Sequence, residues 1–197
     1  MMLRKEILNI KLAIIMVLLI PIFFGFRVEY LLPFTLQYTF LDILIIIIGS
    51  TGLLFFGYFA VIRAFQEEDI EKMRKHEVVN AFVNNQFKPI LITFLVTMIL
   101  EELIFRFYII GLLDLVLYYY IALIIASCIF SLYHIHIWFS FKSIRILGIY
   151  LLFSFLLGLL NGFVLFKLGL FCCILIHYLL VLVLYWKISQ KFQNLAI

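Results

Sequence analysis

"MILEELIFRFYII" (residues 98–110) sets two adjacent carboxylates and an arginine inside an apolar run. Residues 89–112 hold no other Asp, Glu, Lys or Arg. A helix of that length crosses the roughly 30 Å hydrocarbon layer of a bilayer. Each charge at the centre of such a helix costs roughly 2.5–3.5 kcal/mol, so Glu101, Glu102 and Arg106 together cost about 8–10. Some twenty apolar neighbours, each contributing about −0.3 to −0.6 kcal/mol, only just offset that. The segment therefore inserts on condition that its charges face other helices and not lipid.

The rest of the chain fits this reading. Its 197 residues are 67% hydrophobic, with only 13% charged side chains and a mean hydropathy of +1.23. A soluble domain cannot cover its surface with so few polar groups. The apolar runs are continuous, without the alternation of a β-barrel strand. Six spans follow: Ile10–Phe26, Phe40–Ile62, Pro89–Leu112, Leu115–Phe139, Ile146–Phe166 and Leu170–Trp186. The first follows Arg4 and Lys5 as a signal peptide would, but "LLIPIFFGF" lacks a small-x-small cleavage site, so it reads as an uncleaved anchor. The predicted fold is all-α: a polytopic membrane helical bundle of about six transmembrane helices, forming a single membrane domain over residues 1–197.

Basic residues orient it. With the N-terminus inside, twelve of the 15 Lys and Arg, Lys11 among them, fall on the cytoplasmic side. Only Arg27 and Lys167 fall outside, and Arg106 lies within a span. This asymmetry puts both the N- and the C-terminus in the cytoplasm. The net charge of +4 then reflects topology, and no nucleic acid is needed to explain it. Residues 63–88 form a cytoplasmic polar connector, read as a solvated helix supported by Glu68–Lys72 and Glu71–Lys75 pairs. Cys128, Cys172 and Cys173 lie within spans, lack metal-ligand spacing, and read as small buried hydrophobes. Gly158 and Gly162, four apart, permit close helix approach, and Asn161 between them is expected to bond a neighbouring helix.

At about 100° per residue, Glu102 and Arg106 lie about 40° apart on one face, whereas Glu101 is about 140° from the arginine. Glu102 is thus the arginine's partner, and Glu101 points elsewhere and needs a partner of its own. Histidines can supply it. Counted from the nearest cytoplasmic basic residue at 1.5 Å per residue, Glu101, His134 and His177 lie roughly 20, 12 and 15 Å deep. His136 is about 200° round from His134 on a continuous helix and reads as a bystander. His76 belongs to the polar connector. A buried carboxylate with imidazoles can activate water, and an imidazole or arginine can stabilise an oxyanion. The same Glu101, His134 and His177 could instead ligate a divalent metal such as zinc that activates the water. Both routes end in hydrolysis.

This constellation resembles the CAAX prenyl protease and bacteriocin-processing (Abi) family of intramembrane endopeptidases. Its motifs are E-E-x-x-x-R, F-x-x-x-H and H-x-x-x-N. "EELIFR" matches the first through Glu101, Glu102 and Arg106, and "FSLYH" matches the second through Phe130 and His134. The third is half matched: His177 is present, but Val181 stands where Asn is often found. The resemblance covers about residues 89–181, the family-like core. It implies that Glu101 and His134 activate water, that His177 contributes to an oxyanion hole, and that Glu102 and Arg106 support the site. It implies a peptide or membrane-associated protein substrate in a bacterial cell membrane, with prenylated C-a-a-X proteins, peptide pheromones and bacteriocin leaders all compatible. On metal, the reading leans to a metal-free site. Two other readings stand beside it: a non-catalytic membrane immunity or interaction protein on the same scaffold, motivated by Val181, and a small transporter, disfavoured by the lack of an inverted repeat.

Overall fold

The structure is a computed structural model describing residues 2–31 and 37–195. Met1 and the last two residues, where the termini were expected to be cytoplasmic, lie outside the described residues, as does the side chain of Arg4. The described residues are predominantly helical, without a strand. The elements are α1 (Met2–Phe23), α2 (Phe40–Ala64), α3 (Glu67–Met73), α4 (Glu77–Val83), α5 (residues 89–113), α6 (Tyr119–Tyr133) and α7 (His136–Phe141). A final helical run, Ile144–Leu195, breaks at Gly169 into α8 (residues 144–168) and α9 (residues 170–195). At φ 80° and ψ 175° Gly169 holds a conformation that side chains resist, so the apolar pattern runs through while the helix axis does not.

Among the described residues, four stretches are long and apolar enough to cross a membrane: Lys5–Phe23, Phe40–Ala64, Tyr119–Phe141 and Ile144–Asn194. Only 6–33% of their apolar stretches is buried by the rest of the protein. Phe23, Phe24 and Phe40 are 84–87% exposed, the inverse of a water-soluble surface and the face expected toward lipid. The helix α5 carries the charges that lower its hydropathy. It begins with Pro89 at its first turn, where a missing N–H costs no helical bond. Residues Pro89–Phe94 and Glu102–Ile110 are π-wound, as is the last turn of α2.

The two ends of the bundle differ. At one, Tyr30 Oη donates to Asp114 at 2.8 Å, Arg27 pairs with Asp114 at 3.3 Å, and Lys167 pairs with Asp42 at 3.3 Å. Asp42 and Thr39 form the capping box that starts α2. At the other end, Lys191 Nζ donates to the carbonyls of Val61 and Phe65 where α2 stops, and Asp69 meets Ser143 and Arg145. The two basic residues expected outside thus sit together, opposite the connector.

The connector is not the solvated helix expected. It forms two short helices, α3 and α4, broken at residues 74–76. Ile70, Met73 and Val79 are fully buried beneath the bundle, packed with Ile146, Tyr185 and Phe141. Glu68 does pair with Lys72, at 2.5 Å, but Glu71 reaches Arg74 instead of Lys75 because the helix ends there. The three cysteines are free. Cys173 is buried as expected, whereas Cys128 is exposed on the apolar outside of α6.

The small residues of α8 act as packing surfaces. A Cβ on Gly158 would stand 3.0 Å from the Ser127 Cα of α6, and one on Gly162 3.0 Å from Leu123. Asn161 donates to the Cys173 carbonyl at 3.1 Å, which ties α8 to α9 as expected. Close approach of α6, α8 and α9 in turn encloses α5, which places its three charges at the centre of the bundle.

Candidate functional site

Glu102 and Arg106 are 0% and 1% exposed, and Arg106 Nε stands 3.3 Å from Glu102 Oε2. The predicted pair is therefore present. The Arg106 guanidinium also lies 3.9 Å over the Phe130 ring, where the π face meets the cation. The second Glu102 oxygen, Oε1, lies 2.6 Å from His177 Nδ1. A carboxylate paired with arginine can only accept, so Nδ1 carries the hydrogen. This bond from α5 to α9 was not legible in the sequence.

Glu101 turns away from Arg106, as its helical position requires. Its Oε2 is 3.9 Å from His177 Nε2, across the wall of a cavity of about 300 Å³. The four buried groups carry two acidic and two basic functions. The quartet is electrically neutral when Glu101 and His177, 3.9 Å apart, hold one proton between them. Neutrality is what a buried cluster requires.

His134 lines the same cavity, on the other side of Phe130. The Phe130 ring meets His134 edge-on at 4.8 Å and His177 edge-on at 5.8 Å. His134 Nδ1 is 2.9 Å from the Phe130 carbonyl, which can only accept; Nδ1 is therefore N–H, and Nε2 keeps its lone pair. The cavity thus holds a carboxylate, a ring nitrogen able to accept a proton, and a second imidazole beside the carboxylate. Among the described residues, no group of three His, Cys, Asp or Glu side chains is placed to hold a metal ion. Glu101, His134 and His177 all line the cavity.

The bystander reading of His136 fails. Helix α6 ends in a turn at residues 134–135, and the 100° step no longer applies across it. His136 consequently lies 5.9 Å from His134, ring centre to ring centre, and lines the cavity. Lys11, counted with the surface cations, also departs from expectation. Its Nζ donates to Thr97 Oγ1 at 2.7 Å, and both line the cavity one turn from Glu101. Its signal was a lysine in the middle of an apolar helix. His76, Tyr150 and Tyr185 are further wall residues without a motif. The spacing of His177, Val181 and Tyr185 did mark one face of α9. Val181 lines the cavity one turn beyond His177 and offers it only methyl groups.

A family model described as "Type II CAAX prenyl endopeptidase Rce1-like" matches residues 83–183, from the end of α4 to the middle of α9. The matched region contains Glu101, Glu102, Arg106, Phe130, His134 and His177. Neither curated proteins nor solved structures gave a match. The chain belongs to the Rce1-like type II CAAX prenyl endopeptidase family, and with its four apolar helices it is an integral membrane protein of CAAX-protease-like class.

Proposed function

We propose that this Rce1-like chain is an intramembrane endopeptidase that hydrolyses a peptide bond with a water activated by Glu101 and His134. The observation that carries the reading is that Glu101 and His134 line one cavity beside His177, whose other ring nitrogen is held by the buried Glu102–Arg106 pair. A water in the cavity donates to the Glu101 carboxylate and to His134 Nε2, and its oxygen attacks the scissile carbonyl as one of them takes the proton. The new C–O bond turns the carbonyl oxygen into an oxyanion. His177, held through Nδ1 by Glu102, stabilises that charge by donating from Nε2 when the shared proton rests there. Collapse breaks the C–N bond, and the proton taken from water passes to the leaving amine. Glu102 and Arg106 touch nothing that reacts; they orient His177.

The substrate is a peptide or membrane-associated protein reached from the connector end, in the membrane of a bacterial cell. The chain crosses that membrane six times with both termini in the cytoplasm, a reading supported by the separation of basic residues between the bundle's ends. Val181 favours one competing reading, a non-catalytic immunity or interaction protein on the same scaffold, because it removes a donor beside His177.

The test is cleavage of an internally quenched fluorogenic peptide library by purified protein in detergent. Wild type should cleave, and Glu101→Gln and His134→Ala should each abolish cleavage while eluting as folded protein. If a host phenotype of the wild-type gene survives both substitutions unchanged, the protease reading gives way to the non-catalytic one.

A further inference from the structure

The face of α9 that lines the cavity continues beyond Val181 to Tyr185, and Tyr185 is wired at both sides. Its Oη lies 3.0 Å from His76 Nε2 in the connector and 3.1 Å from Tyr150 Oη on α8. The His76 ring stacks on the Tyr185 ring at 4.3 Å. All three line the cavity.

The hydrogens in this chain can be assigned. The Val78 N–H donates to His76 Nδ1 at 3.3 Å, the bond that caps α4. Nδ1 is therefore the acceptor nitrogen, and a neutral His76 carries its hydrogen on Nε2. Burial pushes His76 down to about 4, with His136 adding to the effect, so it is neutral near pH 7. Nε2–H then donates to Tyr185 Oη. The Tyr185 hydroxyl, having accepted, donates onward to Tyr150 Oη. Tyr150 accepts in its turn, and its own hydrogen remains unspent. Among the described residues its hydroxyl bonds nothing but Tyr185. Its ring lies 6.5 Å from that of His134, so the free donor belongs to the His134 side of the cavity. The half-buried Tyr150 hydroxyl thus presents a free donor to the cavity, and a group that enters the cavity can supply its acceptor.

We propose that the Tyr150 hydroxyl donates a hydrogen bond from α8 to a backbone carbonyl of the bound peptide. The inference rests on the peptidase reading of the cavity. It makes Tyr150 a substrate-contacting residue and makes Tyr185 and His76 positioning residues that aim its hydrogen. The contact exists in the bound ground state as well as in the transition state, so its loss weakens binding more than turnover.

The experiment measures kcat and KM on the quenched peptide library for wild type, Tyr150→Phe, Tyr185→Phe and the double variant, with thermal unfolding of each. Tyr150→Phe should raise KM about tenfold with kcat within about twofold, the usual effect of one lost hydrogen bond. Tyr185→Phe should raise KM less, because Tyr150 keeps its hydrogen but loses its orientation. The double variant should match Tyr150→Phe alone. A Tyr150→Phe enzyme with unchanged KM, or a double variant whose defects multiply, overturns the proposal and leaves the peptidase reading standing. Absence of cleavage by wild type overturns the peptidase reading, and this proposal falls with it. A Tyr150→Phe protein that unfolds early is decided by Tyr185→Phe: raised KM in that folded variant supports the proposal, and unchanged KM overturns it.

Discussion

Exchanging either partner of the Glu102–Arg106 pair should destabilise the protein far more than exchanging Glu101, although all three are buried charges in one helix. Arg106→Gln leaves a carboxylate of 0% exposure beside His177 without its guanidinium, and gives up the cation over Phe130. Glu102→Gln leaves a guanidinium of 1% exposure over the Phe130 face without its carboxylate. Breaking a buried pair from one side costs about 3–5 kcal/mol. At roughly 2–4 °C per kcal/mol for a chain of this size, each change should lower Tm by about 10 °C. The double Gln variant holds no orphaned charge, so its loss should fall short of the sum by about 2 kcal/mol, the coupling expected of side chains in contact. Glu101→Gln should cost under about 1 kcal/mol, because the remaining groups stay neutral once the shared proton is released. Thermal unfolding in detergent micelles, followed by fluorescence-detected size exclusion, measures all four. Strict additivity of the double variant would refute the pairing, and a Glu101→Gln loss equal to that of Glu102→Gln would refute the neutral-quartet argument.

Val181→Asn should raise kcat with little change in KM if a donor beside His177 limits oxyanion stabilisation; removing one such donor elsewhere costs about 10²–10³ in rate, which bounds the gain. Peptide-cleavage kinetics measure it, and an unchanged kcat would mean that position 181 does not face the reacting carbonyl. Gly158→Ala puts a methyl group 3.0 Å from the Ser127 backbone and should separate α8 from α6, costing about 1–3 kcal/mol in detergent unfolding. The same change at Gly148, which has nothing within 4 Å, should be neutral or stabilising. His76, lowered to about 4 from 6.5 by burial and by His136, binds fewer protons folded than unfolded between those values. Stability should thus be flat above pH 6.5 and should fall as pH drops from about 6.5 to about 4. His76→Gln should lessen that slope in a pH series of unfolding midpoints, and a slope unchanged by the substitution would refute a buried neutral His76.

Much of what depends on neighbours within one unbroken helix was readable from the chain. Apolar runs marked the helices and their outward face, because lipid imposes the same demand on every exposed side chain. The Glu102–Arg106 pair followed from an i,i+4 spacing that helix geometry converts directly into contact, and so did the turn of Glu101 to a different face. The resemblance of "EELIFR" and "FSLYH" to the family's motifs pointed to the same residues. What periodicity cannot encode is which face of another helix comes to meet them. His177 reaches Glu102 because α9 is brought against α5, and only the assembled bundle sets that approach. The break after Tyr133 swings His136 into the cavity, although an unbroken helix would turn it away. Burial of Ile70, Met73 and Val79 draws the polar connector under the bundle and carries His76 to Tyr185. Lys11 bends inward because Thr97, eighty-six residues later, presents an oxygen there. Each is a long-range contact whose partner lies on another helix, so its energy appears only when the helices pack.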